Sequence, residues 1–327
     1  MQLTVDHIEW VTEIEWQNIV DECPWATFYE TPEWIKCQDI QNEVQHSGSA
    51  LLLRFNDSTE LLVPLSKKNV LKGFQLQYSG VPGGLYGGPL SKDKLTADNV
   101  MIAINFIREK YSNLDYRLNP FLLQELNPKL DFTTLDQSNF TQAINLCQST
   151  EFINREMSAK NVDYDFRNAE KHQIHVEVAN YSDLKLFLDT YEGMIVKWGK
   201  ANIKYTSDFF ELLVSQNNCD FWSIYKDNIY IGGGILLKQN THISSWLTII
   251  QGEYLKFRPY EFVYQFFIHH YKSLGFHWFD FNPSAGLEGV VTFKEKFGTQ
   301  KLIIPAIQQS GAIVNISNRL REKIRNA

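Results

Sequence analysis

The chain has 327 residues, 44% of them hydrophobic and 21% charged, a balance that reads as soluble globular protein of about two domains. A net charge of −7 excludes a dominant nucleic-acid surface, because phosphate binding draws on Lys and Arg, although a local basic groove stays compatible with it. The four cysteines (Cys23, Cys37, Cys147, Cys219) stand far apart, which excludes a C-x-x-C metal or redox motif and offers no disulfide framework. Aromatic residues at 14% point to large packed cores or an aromatic-lined cleft. The opening residues, MQLTVDHIEW, lack the basic and apolar regions of a signal peptide, and no apolar run approaches the roughly 18 residues of a membrane span. The expected location is the cytoplasm.

In chain order, residues 3–10 alternate as a strand and 12–20 read as a helix. Thr31 caps a second helix with Pro32 at its first position and an apolar stripe of Trp34, Ile35 and Ile40. The runs 50–55 and 61–65 flank Asn56-Asp57-Ser58 as a hairpin, and a strand over 74–78 leads into SGVPGGLYGGPL. Five glycines and two prolines in these twelve residues (79–90) rule out helix and strand. Two readings stay open for this loop, close backbone approach to a ligand or a wide turn between elements. It is no Walker loop, since the G-K-[ST] ending is missing. A helix follows over 99–111, then a strand over 116–118 stopped by Asn119-Pro120, and strands over 131–135 and 140–146. Residues 151–171 are polar, basic and helix-prone, and read as a solvated helical linker. Beyond it come a strand (172–178), helices (183–197, 208–216) and three strands (221–225, 230–237, 242–250). Asp227-Asn228 and Gln239-Asn240 supply the turns between those strands, and a helix over 259–274 follows.

The organising stretch is 276–298, FHWFDFNPSAGLEGVVTFKEKFG. Phe276, Trp278 and Phe279 give it the aromatic character of a packed strand, and Asn282-Pro283 ends that strand. From Leu287 the period changes, with Val290, Phe293 and Phe297 at helical spacing and Gly298 placed as a left-handed cap. Ligands of α/β proteins bind at the carboxyl ends of strands, and Lys294 sits beside the apolar face rather than opposite it, where a cation could point into a pocket. The order helix end, short aromatic strand, Asn-Pro occurs twice, at 111–120 and 271–283. Chance similarity competes with the reading of two halves built on one plan.

Taken together, ATFYETPEW, YGGPL, INREMSAKNVDYDFRNAEK, LDTYEGMIVKWG and GFHWFDFN…EGVVTFKEKFG resemble the Fem-type branch of the GNAT acyltransferase superfamily, which includes the FemA, FemB and FemX peptidoglycan-bridge aminoacyltransferases. The sharpest match is the F-K-x-x-F-G of Phe293 to Gly298. The resemblance implies an α/β (α+β) chain of two tandem GNAT-like domains, each a mixed, mostly antiparallel sheet flanked by helices. The expected division is 1–150, a helical linker at 151–171, and 172–327. It further implies N-acyl transfer to an amine of a cell-envelope or peptidoglycan precursor or an amino sugar. Acyl-CoA or aminoacyl-tRNA would be the co-substrate, with no tightly bound cofactor. Lys294 and Phe293 inherit the role of stabilising charge at the reacting acyl centre, where a fixed cation in a dry pocket is worth several kcal/mol. The attacking amine needs no nucleophilic serine or cysteine, in keeping with the absence of a triad motif. The alternative is a non-catalytic double-GNAT module that binds a glycan or peptide precursor.

The chain departs from ordinary GNAT enzymes at Gln251 to Pro259, which lacks the [QR]-x-x-G-x-[GA] pyrophosphate turn. Lys256 and Arg258 at the following helix N-terminus are the donor-binding candidates there. The acidic balance gives no strong basic surface for tRNA. Asp280, at the strand end, is a candidate to orient the amine or take its proton, set against a structural carboxylate that caps the next turn. Lys36, Tyr86, Gly87, Gly88, Trp198 and Tyr205 are the acceptor-binding candidates, with a plain basic loop as the competing reading around Trp198 and Tyr205. His269, His270 and His277 lack a companion ligand set, so no metal is expected. The identity of the acceptor and the oligomeric state stay open.

Overall fold

The structure, a computed structural model, describes residues 2–41, 46–70, 75–126, 135–160, 162–198 and 204–310. The first part of the chain forms β1 (Val5–Trp10), α1 (Glu13–Glu22), α2 (Pro32–Ile40), β2 (His46–Phe55), β3 (Glu60–Val70), β4 (Gln75–Ser79), α3 (Ala97–Lys110), β5 (Leu114–Arg117) and the short α4 (Leu122–Glu125). After these come β6 (Asp136–Asn145), α5 (Thr150–Ser158), α6 (Val162–Lys171), β7 (Ile174–Val178), α7 (Tyr181–Trp198), α8 (Ser207–Val214), β8 (Cys219–Lys226), β9 (Ile229–Gln239) and β10 (His242–Ile250). The last elements are α9 (Pro259–Ser273), β11 (Trp278–Asp280), α10 (Glu288–Glu295) and β12 (Gln300–Gln309). Local chemistry sets the helix starts. Thr12 with Glu15, and Thr96 with Asn99, form reciprocal capping boxes, while Thr31 accepts from Trp34 N ahead of Pro32.

Two compact units result, one of Met1–Phe140 with the segment from Ile303 onward, the other of Thr141–Leu302. In the first, the sheet runs β1-β2-β3-β4-β5-β12, with a parallel step only between β4 and β5. In the second, it runs β7-β8-β9-β10-β11-β6, with a parallel step only between β10 and β11. Each parallel step is bridged by one helix, α3 or α9, as parallel strands demand. The two units therefore share one mixed, mostly antiparallel plan, and the repeated Asn-Pro stop falls directly after the parallel-step strand, β5 or β11, in both. Strand β12 pairs antiparallel with β5 through Ala306–Gln309. Residues 151–171, expected as a solvated linker, fold as α5 and α6, and Ile153, Met157, Val162 and Ala169 are buried in the second unit's core. The expected strand over 131–135 falls almost wholly outside the described residues.

The second core lies between the sheet and α9, whose Val263, Phe267, Ile268 and Tyr271 meet Ile224, Ile231, Leu236, Ile243 and Phe279. Three successive glycines in β9 make this packing close: a Cβ on Gly232 would lie 2.2 Å from Ile249 O, and one on Gly233 2.9 Å from the Phe187 ring of α7. The first unit is tied together by a buried carboxylate. Glu30 receives Thr27 N (2.8 Å), Asn119 Nδ2 (3.0 Å) and Gly88 N, and Asn119 Nδ2 also donates to Trp25 O (2.9 Å). The Gly/Pro loop is thus stitched to the Thr27–Glu30 turn and to the end of β5. Burial pushes the Glu30 carboxyl up to about 7 against donors that favour its charged form. Glu30→Gln puts an amide N–H among converging donors, so stability should fall by about 2–4 kcal/mol. A lower urea midpoint at unchanged m-value is the expected reading; an unchanged midpoint would show the network to be dispensable.

Candidate functional site

The site is built where β10 and β11 part. Their parallel pairing covers His242↔Trp278, Ile243↔Phe279 and Ser244↔Asp280, after which β11 stops. Strand β10 continues to Ile250 on β9, with a register shift between Ser245 and Leu247. Just past β11 the backbone enters the left-handed region at Asn282 (φ 64°), a conformation asparagine tolerates better than most residues. Four polar groups of Asn282 are engaged. Its Nδ2 donates to Ser245 O (2.9 Å), its Oδ1 accepts from Ser244 Oγ (2.9 Å) and its N donates to Asp280 Oδ1 (3.0 Å). Its carbonyl accepts from Lys294 Nζ (2.6 Å).

Lys294 is 6% exposed, and desolvation pushes its ammonium down to about 8, partly opposed by the Asp280 charge. Among the described residues no carboxylate lies within ion-pair distance of it. Its helix is pinned from β6: Gln142 Nε2 donates to Val291 O (3.1 Å) and to Thr299 Oγ1 (3.3 Å), and Thr299 Oγ1 donates to Lys294 O (3.2 Å). Phe293 fixes the same helix from its other side, with ring centroids 6.0 Å from Tyr260, 5.7 Å from Tyr264 and 5.3 Å from Phe297. Asp280 is fully buried, accepts from Thr141 Oγ1 and lies 3.9 Å from His242 Nε2. Burial holds His242 down at about 3, so its ring is neutral at neutral pH. The arrangement presents a dry, fixed N–H donor whose charge is set close to the neutral range. Donors of this kind stabilise an oxyanion.

The remaining expected residues are scattered. Tyr86 is fully buried against Tyr29 (5.9 Å) and Phe121 (6.0 Å), and Gly87 and Gly88 face Val81, Glu30, Tyr116 and Pro64. Of the two readings the sequence left open for this loop, the packing fits a turn: the glycines admit close packing of the chain on itself, since a Cβ on Gly88 would lie 2.5 Å from Tyr116 Oη. Lys36 is exposed and paired with Glu13 at 2.7 Å. Tyr205 packs on Phe209 (4.5 Å) and on Trp246 (5.2 Å), the residue at the β10 irregularity. The Trp198 side chain lies outside the described residues. Lys256 sits over the Phe257 ring (5.1 Å), and Arg258, itself at φ 59°, stands 3.8 Å from Asp165.

At the first turn of α9 the chain supplies its own anion. Glu261 is 4% exposed and bonded to Lys296 (3.0 Å), which also stands 3.9 Å from Asp165, and Pro259 removes one backbone donor. Sequence reasoning missed Thr141, Gln142, His242, Ser244 and Asn282. Only Asn282 carried a signal, and its dipeptide with Pro283 was read as a strand stop alone. In Asp280→Asn the charge that supports the Lys294 ammonium is gone, so its deprotonation midpoint should move below about 8. The pH dependence of Lys294 acylation by a small anhydride, followed by mass spectrometry, measures this; an unmoved midpoint would dissociate the two groups.

Residues 158–295 match the family model of the acetyltransferase (GNAT) domain. No curated protein matches the chain. Among solved structures, FemX superposes with a TM-score of 0.66 at 12% identity, covering 93% of this chain and 96% of that one. The C-terminal DUF2156 domain of a proposed lysylphosphatidylglycerol synthetase from Agrobacterium fabrum gives 0.57 at 12% identity, covering 94% and 96%. L-PGS from Bacillus licheniformis gives 0.51 at 11% identity, covering 90% and 97%. At these identities the likeness is one of fold.

Proposed function

We propose that this chain, which carries a GNAT domain on a fold of the Fem-like branch, is an N-acyltransferase that moves an aminoacyl group onto an amine of a cell-envelope precursor. The observation that carries the reading is Lys294, desolvated and held on the Asn282 carbonyl where β10 and β11 separate. In the proposed reaction the acceptor amine forms an N–C bond to the donor's ester carbonyl. The carbonyl π pair moves onto oxygen, and the Lys294 ammonium stabilises that oxyanion. Collapse breaks the ester C–O bond, and the departing alkoxide takes the proton the amine gives up and leaves as a hydroxyl. Asp280 acts as a positioning residue: fully buried, it holds the Asn282 turn and supports the Lys294 charge. Phe293 keeps water from Lys294 by packing its helix onto Tyr260 and Tyr264.

The first turn of α9 bears on the choice of donor. A helix N-terminus is a general phosphate site, and CoA would bring a pyrophosphate to it. Here the buried Glu261 and the nearby Asp165 add negative charge to that turn, and they engage Lys296 and Arg258. This favours a donor other than CoA. One of the fold relatives is titled as a proposed lysylphosphatidylglycerol synthetase, which supports an aminoacyl ester in that role. The acceptor would be a cell-envelope precursor carrying a free amine, and the site of action the cytoplasm.

Transfer of a radiolabelled amino acid from aminoacyl-tRNA to a muropeptide or aminophospholipid precursor, run beside acetyl-CoA with the same acceptors, tests the proposal. Label transfer from the aminoacyl donor, with none above background from acetyl-CoA, is expected. Transfer from acetyl-CoA alone would overturn the choice of donor, and transfer from neither would overturn the catalytic reading.

A further inference from the structure

At the outer part of the second unit's sheet, β7 covers β8 only as far as Val178↔Trp222, while β8 runs on through Phe221 and Asp220 to Cys219. Where β7 stops, a cavity of about 490 Å³ opens between the start of α7, the end of α8 and the C-terminal end of α9. That size falls within the roughly 300–1,000 Å³ of small-molecule sites. None of its lining residues belongs to the Lys294, Asn282 and Asp280 network. Asp220 pairs in register with Leu236, and Leu236 with Ser245, so two strand spacings, about 10 Å, separate it from Ser245, and the Asn282 turn lies beyond that on the far side of β10.

The cavity carries an ion pair at one side and is lined elsewhere mainly by apolar side chains, with Asn180 and His270 among them. Asp220 Oδ1 meets Lys238 Nζ at 2.5 Å, with the two side chains 25% and 27% exposed. Asp220 Oδ2 accepts from Tyr271 Oη (2.7 Å), which itself accepts from Trp222 Nε1 (3.1 Å). The carboxylate is therefore held by a buried chain of donors, so its orientation does not depend on Lys238. Around this pair stand Leu184, Phe221 and Trp222, and the rim is formed by Val178, Tyr181 and Leu274, which are 73%, 75% and 59% exposed. Three large apolar side chains left in water around one opening mark a surface that gains by being covered. Burial and the Lys238 charge hold His270 in the wall below its ordinary value, so it adds no competing cation at neutral pH.

We infer that this cavity binds a free α-amino acid with an apolar side chain, its ammonium on Asp220, its carboxylate on Lys238 and its side chain against Trp222 and Leu184. A single ligand that carries both charges on groups of one carbon meets both members of the Asp220–Lys238 pair at once, whereas an amine or a carboxylate alone meets only one of them. The inference does not rest on the transferase reading, since the site is separate from Lys294.

Calorimetric titration of the full chain with L-phenylalanine, N-acetyl-L-phenylalanine, 2-phenylethylamine and glycine tests it. L-phenylalanine should bind about tenfold more tightly than each of the other three. Tyr181→Ala, on the exposed rim, should weaken it severalfold with an unchanged circular dichroism spectrum. Lys238→Gln should weaken L-phenylalanine about tenfold while sparing 2-phenylethylamine. Lys294→Met should bind as the parent does, which separates this cavity from the proposed transfer site. Equal affinity for the zwitterion and its fragments, no binding of L-phenylalanine, or loss of binding in Lys294→Met with none in Tyr181→Ala would each overturn the inference.

Discussion

Asn282 holds the second unit's candidate site in place. A residue in the left-handed region has its amide, carbonyl and side chain directed differently from those of a strand residue, and here each of them is used. Its side chain is fastened to Ser244 and Ser245, its amide to Asp280 and its carbonyl to Lys294. The end of β11, the irregular stretch of β10 and the helix bearing Lys294 therefore cannot shift independently. The energetic setting follows from burial. An ammonium 6% exposed lacks most of its water, and a single carbonyl with a nearby buried carboxylate replaces only part of that hydration. The cost appears as an amine held close to its titration range, a state that functional lysines use and that structural ion pairs at a surface do not.

The first unit repeats the plan with a different outcome. Asn119, which also precedes a proline and follows the parallel-step strand, is fully buried and serves as a hub as well. Its partner is a carboxylate, Glu30, saturated by backbone and amide donors, and no lysine enters the network among the described residues. The shared topology and the shared asparagine thus support two different interiors. One is a closed polar knot that fixes the Gly/Pro loop; the other keeps a titratable cation beside a strand separation.

Much of the frame was legible in the sequence because it rests on local signals. Thr31-Pro32, the turns Asp227-Asn228 and Gln239-Asn240, and the change of period at Leu287 each locate an element through short-range chemistry. The GNAT resemblance rested partly on these stretches, Thr31-Pro32 and the segment around Leu287, and the mixed sheets and the match over 158–295 agree with it. Lys294 was legible because a lysine beside an apolar helical face is out of pattern. What the sequence did not reveal depends on pairing at long range. The placement of β12 beside β5 joins residues almost 190 positions apart, as in Ala306↔Arg117, and no local pattern encodes that. The Gly/Pro loop stayed open between a ligand loop and a turn because glycine signals close approach without saying to what. Here the approaching groups are Glu30, Val81 and Tyr116 of the same unit. Thr141 and His242 are ordinary strand residues by pattern, and only the meeting of β6, β10 and β11 at Asp280 gives them a role.

The central claim is that the Lys294 ammonium, rather than the apolar wall around it, lowers the barrier to acyl transfer. Single-turnover transfer by Lys294→Met measures this most directly, since methionine keeps the length and apolar stem of the side chain and removes the cation. The expected result is a loss of about 10²–10³-fold in rate with an unchanged thermal midpoint, comparable to the loss of one oxyanion donor. A rate within a few-fold of the parent would contradict the account.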